Sequence, residues 1–297
     1  MRVLAGTERG LLDVGAGATL LEGSISALAR GDDAWWAVVD GYRVFTGNPD
    51  GWQERTTLRG LEARCILPAV DGALAGTAEA HLVKVNGGSA TRVRSFDRVP
   101  TRDAWYTPWG GPADTRSLSR DADGRVYANV HVGGILASGD GESGWRPTAM
   151  DIDADVHQVV AHPTEPGVAF AATAIGMAMT RDAGDSWEFT EEGLHAAYCR
   201  AVAVAGDTLL LSASMSHTGK RSALYRRPID GEAFERCVSG LPEWFADNVD
   251  TGCLDADGER AALGTSDGFV FVSEDAGRTW SQAASGLGSI SAVALVR

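Results

Sequence analysis

One octapeptide constrains this chain more than any other feature. Thr180-Arg181-Asp182-Ala183-Gly184-Asp185-Ser186-Trp187 and Ser273-Glu274-Asp275-Ala276-Gly277-Arg278-Thr279-Trp280 both fit S/T-x-D-x-G-x-S/T-W. A degraded copy occupies 138–145, and a poorer one, through Pro49, occupies 46–52. In physical terms the pattern is a hairpin turn. The Asp caps its own backbone, the Gly takes a positive φ, and the Trp opens the next strand and packs inward. Three copies follow similar runs: 126–130 then 135–138, 168–173 then 177–180, and 260–265 then 269–272, each pair joined through glycine. Short apolar or alternating runs punctuated by Gly read as strands. No long amphipathic helix is visible.

A further strand opens each repeat, starting at Ser26, Arg64, Arg116, His157, Arg200, Thr251 and Ser291, with a mean spacing of 44 residues. That period suits a four-stranded blade. Seven entries predict an all-β, seven-bladed β-propeller. Only seven residues remain from the last entry, so the N-terminal runs 2–6, 10–14 and 18–21 supply its missing strands. The termini are then expected to share one closing blade, which removes an open sheet edge. The predicted blades of this single domain, 1–297, are 289–297 plus 1–22, then 24–60, 62–100, 114–149, 155–190, 198–238 and 249–284.

The octapeptide resembles the Asp-box (BNR) repeat of sialidase- and sortilin-like β-propellers, and the whole chain is similar to uncharacterised bacterial BNR-like propellers. In that family the boxes are structural turns away from the active site, which implies structural roles for Trp145, Trp187 and Trp280. A sialidase also carries an arginine triad, a Tyr/Glu nucleophile pair, an Asp acid/base and an N-terminal Arg-Ile-Pro. Arg64, Arg116 and Arg200 resemble the triad, with Tyr198 close to the third. Arg-Ile-Pro is absent, and seven blades depart from the sialidase six. Photosystem-assembly and sortilin-type propellers, also similar, imply partner binding instead.

Composition narrows the classes. With 297 residues, 44% hydrophobic and 22% charged, the chain can bury a sizeable core. A net charge of -14 argues against nucleic acid or an anionic membrane as partner. The start has a single basic residue and no apolar stretch of signal length, and no run approaches a membrane span, so a cytoplasmic location is expected. Cys65, Cys199, Cys237 and Cys253 show no CxxC pair and read as reduced thiols.

In a propeller, blade connections and second-to-third strand turns share one end, opposite the boxes. His81, His131 and His217 fall near such turns and His157 and His195 at connections; of the six histidines only His162 falls at the other end. Imidazoles gathered at one mouth suit a single divalent metal ion or acid/base chemistry. Scattered surface or capping histidines are the alternative. Arg64, Arg116, His157 and Arg200 start innermost strands and would form an anion site; pairing with Glu62, Asp114 or Asp250 is the alternative. Acids expected near the same mouth are Glu8, Glu79, Asp40, Asp153, Asp155 and Asp267. The long repeats add Trp105, Tyr106, Trp109, Tyr198, Trp244 and Phe245, suited to sugar rings, apolar ligands or a protein partner, or else forming the small cores of long loops.

The leading expectation is therefore an axial ligand or metal site. Its metal ligands are His81, His131, His157, His195 and His217, with His131 and His157 catalytic. Arg64, Arg116, Arg200, Tyr198, Trp109 and Trp244 would bind a small anionic or aromatic substrate of a metal-dependent hydrolase, lyase or oxygenase. Carotenoid oxygenases and streptogramin lyases are similar in architecture. A protein- or peptide-binding propeller using Trp105, Trp109 and Trp244 is the alternative, and a sialidase-like glycoside hydrolase a further one.

Overall fold

The computed structural model describes residues 1–48 and 50–296; Pro49, inside the poorest copy of the turn, and Arg297, at the end of the last predicted strand, lie outside the described residues. Its strands form seven four-stranded antiparallel sheets, the blades of an all-β propeller. The described residues add one four-residue α-helix, Arg94–Asp97, and three single 3-10 turns. The chain divides into two compact units, one holding 1–25, 172–177 and 190 onward, the other holding 26–171 and 178–189.

In the first unit, blade 1 pairs the two ends of the chain. Ile290–Val296 runs antiparallel to Arg2–Thr7, with Val3 opposite Leu295 and Ala5 opposite Val293. Blade 6 opens with Tyr198–Ala205 and blade 7 with Leu254–Asp257. Hydrogen bonds lace the blade openings: Thr251 Oγ1 donates to the Arg200 carbonyl (3.1 Å), and the Leu295 amide donates to Asp255 Oδ2 (2.8 Å). Leu210, Leu263, Phe245, Phe271 and Trp280 fill the core between blades 6 and 7.

The second unit, from Ser26 on, contains most of blades 2 to 5, whose opening strands are Ile25–Arg30, Ala63–Ala69, Thr115–Arg120 and Val156–Ala161. The 172–177 hairpin tip of blade 5 groups with the first unit. Leu82, Phe96, Leu136 and Trp145 pack between blades 3 and 4; Tyr127, Ile135, Val156 and Val159 pack between blades 4 and 5. These strands alternate or run continuously apolar because both faces of a blade meet a neighbour.

The octapeptide turns share one geometry. Asp140 Oδ1 accepts from the amides of Glu142 and Ser143 (both 2.8 Å), and Ser143 Oγ donates to Oδ2 (2.7 Å). Asp182 accepts likewise from the amide (2.9 Å) and hydroxyl (2.6 Å) of Ser186, and Asp275 from those of Thr279 (2.8 and 2.7 Å). Gly141, Gly184 and Gly277 hold φ of 76°, 90° and 79°. Trp145 and Trp280 are buried, and Trp187 packs half-buried with Nε1 donating to Thr148 Oγ1 (3.3 Å).

These donors hold the turn carboxyls low. The Ser186 hydroxyl and amide lower Asp182 to about 2. The Ser143 amide is the largest influence on Asp140, outweighing burial. At Asp275 burial opposes ionisation, but Thr279 and Ser273 outweigh it. A carboxyl depressed in the folded state stabilises fully above its unfolded value of roughly 4, and loses that contribution as pH falls through the folded value. Thermal stability is therefore expected to drop between about pH 4 and 2, and the drop to be shallower in Asp182→Asn. Melting curves across that range check this; equal slopes in both proteins would refute it.

Candidate cation and ligand site

The insertion expected at 100–114 folds over the turn that carries His131. That turn joins the blade 4 strands Val126–Val130 and Gly134–Ser138, with Val132 at φ 45° and Gly134 at φ 76°. The His131 amide donates to the Asp114 carbonyl (2.9 Å), and the Tyr106 amide to the Val132 carbonyl (3.3 Å). Tyr106 OH donates to Asp153 Oδ1 (3.0 Å). The loop thereby places the Trp109 ring 5.0 Å from the His131 ring, centroid to centroid, while leaving Trp109 69% exposed.

His157 reaches the same place from the start of blade 5. Its strand is held to blade 4 by buried polar side chains. Asn129 Nδ2 donates to the Val156 carbonyl (2.5 Å), Ser117 Oγ donates to Asn129 Oδ1 (3.1 Å), and the Val159 amide donates to Ser117 Oγ (2.9 Å). Just before the strand, Asp155 caps the 3-10 turn Ile152–Ala154 in the left-handed region, φ 50° and ψ 70°. A non-glycine residue held there is strained, and such strain collects at functional sites.

Among the described residues, His131, Asp155 and His157 form the one group of three whose ligand-type atoms all lie within 4.8 Å of one another. Asp155 Oδ1 lies 2.7 Å from His131 Nε2, and Oδ2 lies 3.6 Å from His157 Nε2. The other ring nitrogen of His131, Nδ1, is buried without a hydrogen-bond partner. The His157 side chain is 0% exposed, His131 2% and Asp155 21%, so the carboxylate is the open side of the group. Burial by itself would raise the Asp155 carboxyl, but the two imidazoles outweigh it and hold it well below the usual range.

The other predicted metal ligands do not enter this group. His81 Nδ1 meets Asp97 Oδ1 at 2.7 Å, with Arg92 Nη2 2.8 Å and Arg102 Nη2 3.2 Å from the same nitrogen. His195 Nδ1 meets Tyr225 OH at 2.7 Å and its ring packs 5.1 Å from Trp244. His217 is exposed in its turn, its carbonyl accepting from Asn248 Nδ2 (3.1 Å). Of the five histidines expected on one ion, His131 and His157 belong to this group, and His81, His195 and His217 have the other neighbours just given.

Arg64, Arg116 and Arg200 occupy one local position. Each lies where the register of its blade's first two strands shifts: the pairing skips Arg64 between Ala63 and Cys65, Arg116 between Thr115 and Ser117, and both Arg200 and Ala201 between Cys199 and Val202. A bulge re-aims the side chain it carries. Arg64 is drawn to Glu62 (2.7 Å) and Asp114 (3.5 Å), and Arg200 to Asp250 (2.6 Å), with the Tyr198 ring 5.6 Å from the Arg200 guanidinium. The acids named from sequence as alternative partners are the ones found.

The aromatic loop residues divide. Trp105 packs half-buried against the blade 3–4 core, 5.8 Å from Phe96, and Phe245 is buried in the blade 6–7 core. Trp244 lies half-buried with the Arg236 guanidinium 3.9 Å from its ring. Of the rings expected to form a docking patch, Trp105 thus packs into the core beneath its own loop.

Asp155 is the residue sequence reasoning underweighted, naming it only among six acids. The available signal was the Asp-x-His spacing of Asp155 and His157 where a blade was expected to open.

No family model matches the chain, and no curated protein matches it. Solved structures do. A putative 6-phosphogluconolactonase from Bacteroides fragilis is 9% identical with a TM-score of 0.66, over 100% of this chain and 98% of that one. YCF48 from Cyanidioschyzon merolae is 15% identical with a TM-score of 0.62, over 91% and 87%. An ancestral GH74 enzyme is 12% identical with a TM-score of 0.60, over 98% and 39%. The neighbours are seven-bladed propellers. At these identities the likeness shows the fold alone. The chain spans less than half the length of the ancestral GH74 enzyme and of the GH74 xyloglucanase from Xanthomonas campestris, of which it covers 45%.

Proposed function

We propose that this chain binds one divalent cation at His131, Asp155 and His157 and presents it to a small, flat ligand stacked on Trp109. The carrying observation is the convergence of two buried imidazoles and one carboxylate within 4.8 Å. Two nitrogens and one oxygen leave coordination positions open, as in catalytic zinc and non-haem iron sites. The ligand set suits Zn, Fe or Mn better than Mg or Ca, which prefer oxygen throughout. Such an ion polarises a bound oxygen or activates water, which suits a hydrolytic, lyase or oxidative reaction. Trp109 favours an aromatic or sugar ring. The anionic half of the expected substrate class loses support, because Arg64 and Arg200 already face carboxylates.

A second reading rests on the 2.7 Å contact between Asp155 and His131, which suits direct proton sharing without metal. Elemental mass spectrometry of tag-free protein, chelated and then reloaded with Fe, Mn, Zn or Cu, separates the two. About one ion per chain is expected, lost in His131→Ala and in His157→Ala but kept in His217→Ala. No stoichiometric ion under any loading would remove the metal reading and leave the proton-sharing pair.

A further inference from the structure

Four arginines fall within 92–102, namely Arg92, Arg94, Arg98 and Arg102, against one acid, Asp97, before Asp103 follows. This local excess of three positive charges stands in a chain of net -14. The helix Arg94–Asp97 and the exposed outer strand Ser89–Arg92 of blade 3 bring them together. A shallow cleft of about 530 Å3 is lined by Thr91, Arg92, Arg94, Asp97 and Arg98. It shares Ala90 and Arg92 with a second hollow of about 440 Å3, to which Arg59 contributes.

The acids nearby are already engaged. Asp97 faces His81 at 2.7 Å and Arg92 at 2.8 Å, and Glu142 faces Lys84. Arg102 donates to the Ala80 and Glu79 carbonyls and lies near Asp103 and Glu79. The Arg94 and Arg98 side chains have no carboxylate partner among the described residues. Burial, reinforced by Arg92 and Arg102 against the pull of Asp97, lowers the His81 pKa, so this imidazole adds no charge at neutral pH.

We infer that this cleft is a binding site for a small polyanion, held by the guanidiniums of Arg94 and Arg98 with Arg92 at its wall. A guanidinium fork matches phosphate or carboxylate oxygens two at a time, and several forks on one ligand select for more than one negative charge. The Thr91 hydroxyl adds a neutral donor to the same lining. The site is independent of the cation centre, since none of its residues belongs to that group.

Calorimetric titration of chelator-treated protein at low ionic strength tests this, with inorganic pyrophosphate in one arm and citrate in the other. Removing metal first keeps either anion from reporting on a bound cation. Saturable binding is expected in at least one arm, weakening as salt is added. The Arg94→Ala/Arg98→Ala double variant should bind at least about tenfold more weakly, with unchanged unfolding, because both side chains are exposed. Arg9→Ala, on the exposed turn of blade 1, should bind like the parent protein. Binding of pyrophosphate alone would assign a phosphate ligand, and of citrate alone a carboxylate. The inference fails if neither anion saturates, or if the double variant binds as tightly as the parent.

Discussion

Asp155→Ala is expected to lower the unfolding free energy by about 3 kcal/mol, the cost of removing one partner from a buried charged group. The carboxylate lies between two imidazoles that are 0% and 2% exposed, and no other acid joins that group among the described residues. The variant should also bind divalent cation on the order of 100-fold more weakly, since even outer-sphere changes cost 10- to 100-fold. Denaturation of metal-free protein isolates the first effect, and competition with a chelator reads the second. The pH dependence has a definite sign. Asp155 is depressed in the folded state, so its stabilisation is present above the unfolded value of roughly 4 and disappears as pH falls. The difference between parent and variant should therefore shrink in acid. A variant as stable as the parent at neutral pH would show that the group is not electrostatically coupled.

Gly240→Ala carries the second large effect. Gly240 sits at φ 81° in the segment leading to blade 7, and an added Cβ would overlap the Trp280 carbonyl. The Trp280 backbone cannot retreat easily. Its amide donates to the Ser239 carbonyl (2.9 Å), its Nε1 donates to the Gly277 carbonyl (3.1 Å), and its ring fills the blade 6–7 core. A cost of about 3 kcal/mol or more is expected, from left-handed strain plus overlap. At roughly 2 to 4 °C per kcal/mol for a chain of this size, the melting temperature should fall by about 6 to 12 °C. Gly286→Ala is the matched control. It has φ 72° but open space around its Cβ, so only the strain of about 1 kcal/mol applies. Equal losses in the two variants would overturn the steric account.

Repetition explains why the fold was legible. The hydrogen bonds of the S/T-x-D-x-G-x-S/T-W turns are local: Asp182 bonds to residues no more than four positions away, and Gly184 supplies the positive φ the turn needs. Strand runs between such turns, at a mean spacing of 44 residues, define four-stranded blades without knowledge of any long-range contact. The pairing of Arg2–Thr7 with Ile290–Val296 also follows from counting, because seven residues cannot make a blade.

The site was legible only in its ingredients. Sequence assigned His81 and His131 to the same kind of turn, and they are in the same kind of turn. Yet His81 ends against Asp97 and His131 against Asp155 and Trp109, because neighbouring segments differ: a helix with arginines beside one, a Gly-rich loop over the other. Likewise Arg64 and Arg200 were visible as strand-opening cations, but whether they faced a ligand or Glu62 and Asp250 depended on bulges and loop paths. The sequence by itself determined the blades, since turn chemistry and strand periodicity act over a few residues. Tertiary structure alone decided which imidazoles share a carboxylate and which arginines lack one. Side chains meet across blades at distances of a few ångströms, set by packing that no spacing along the chain encodes.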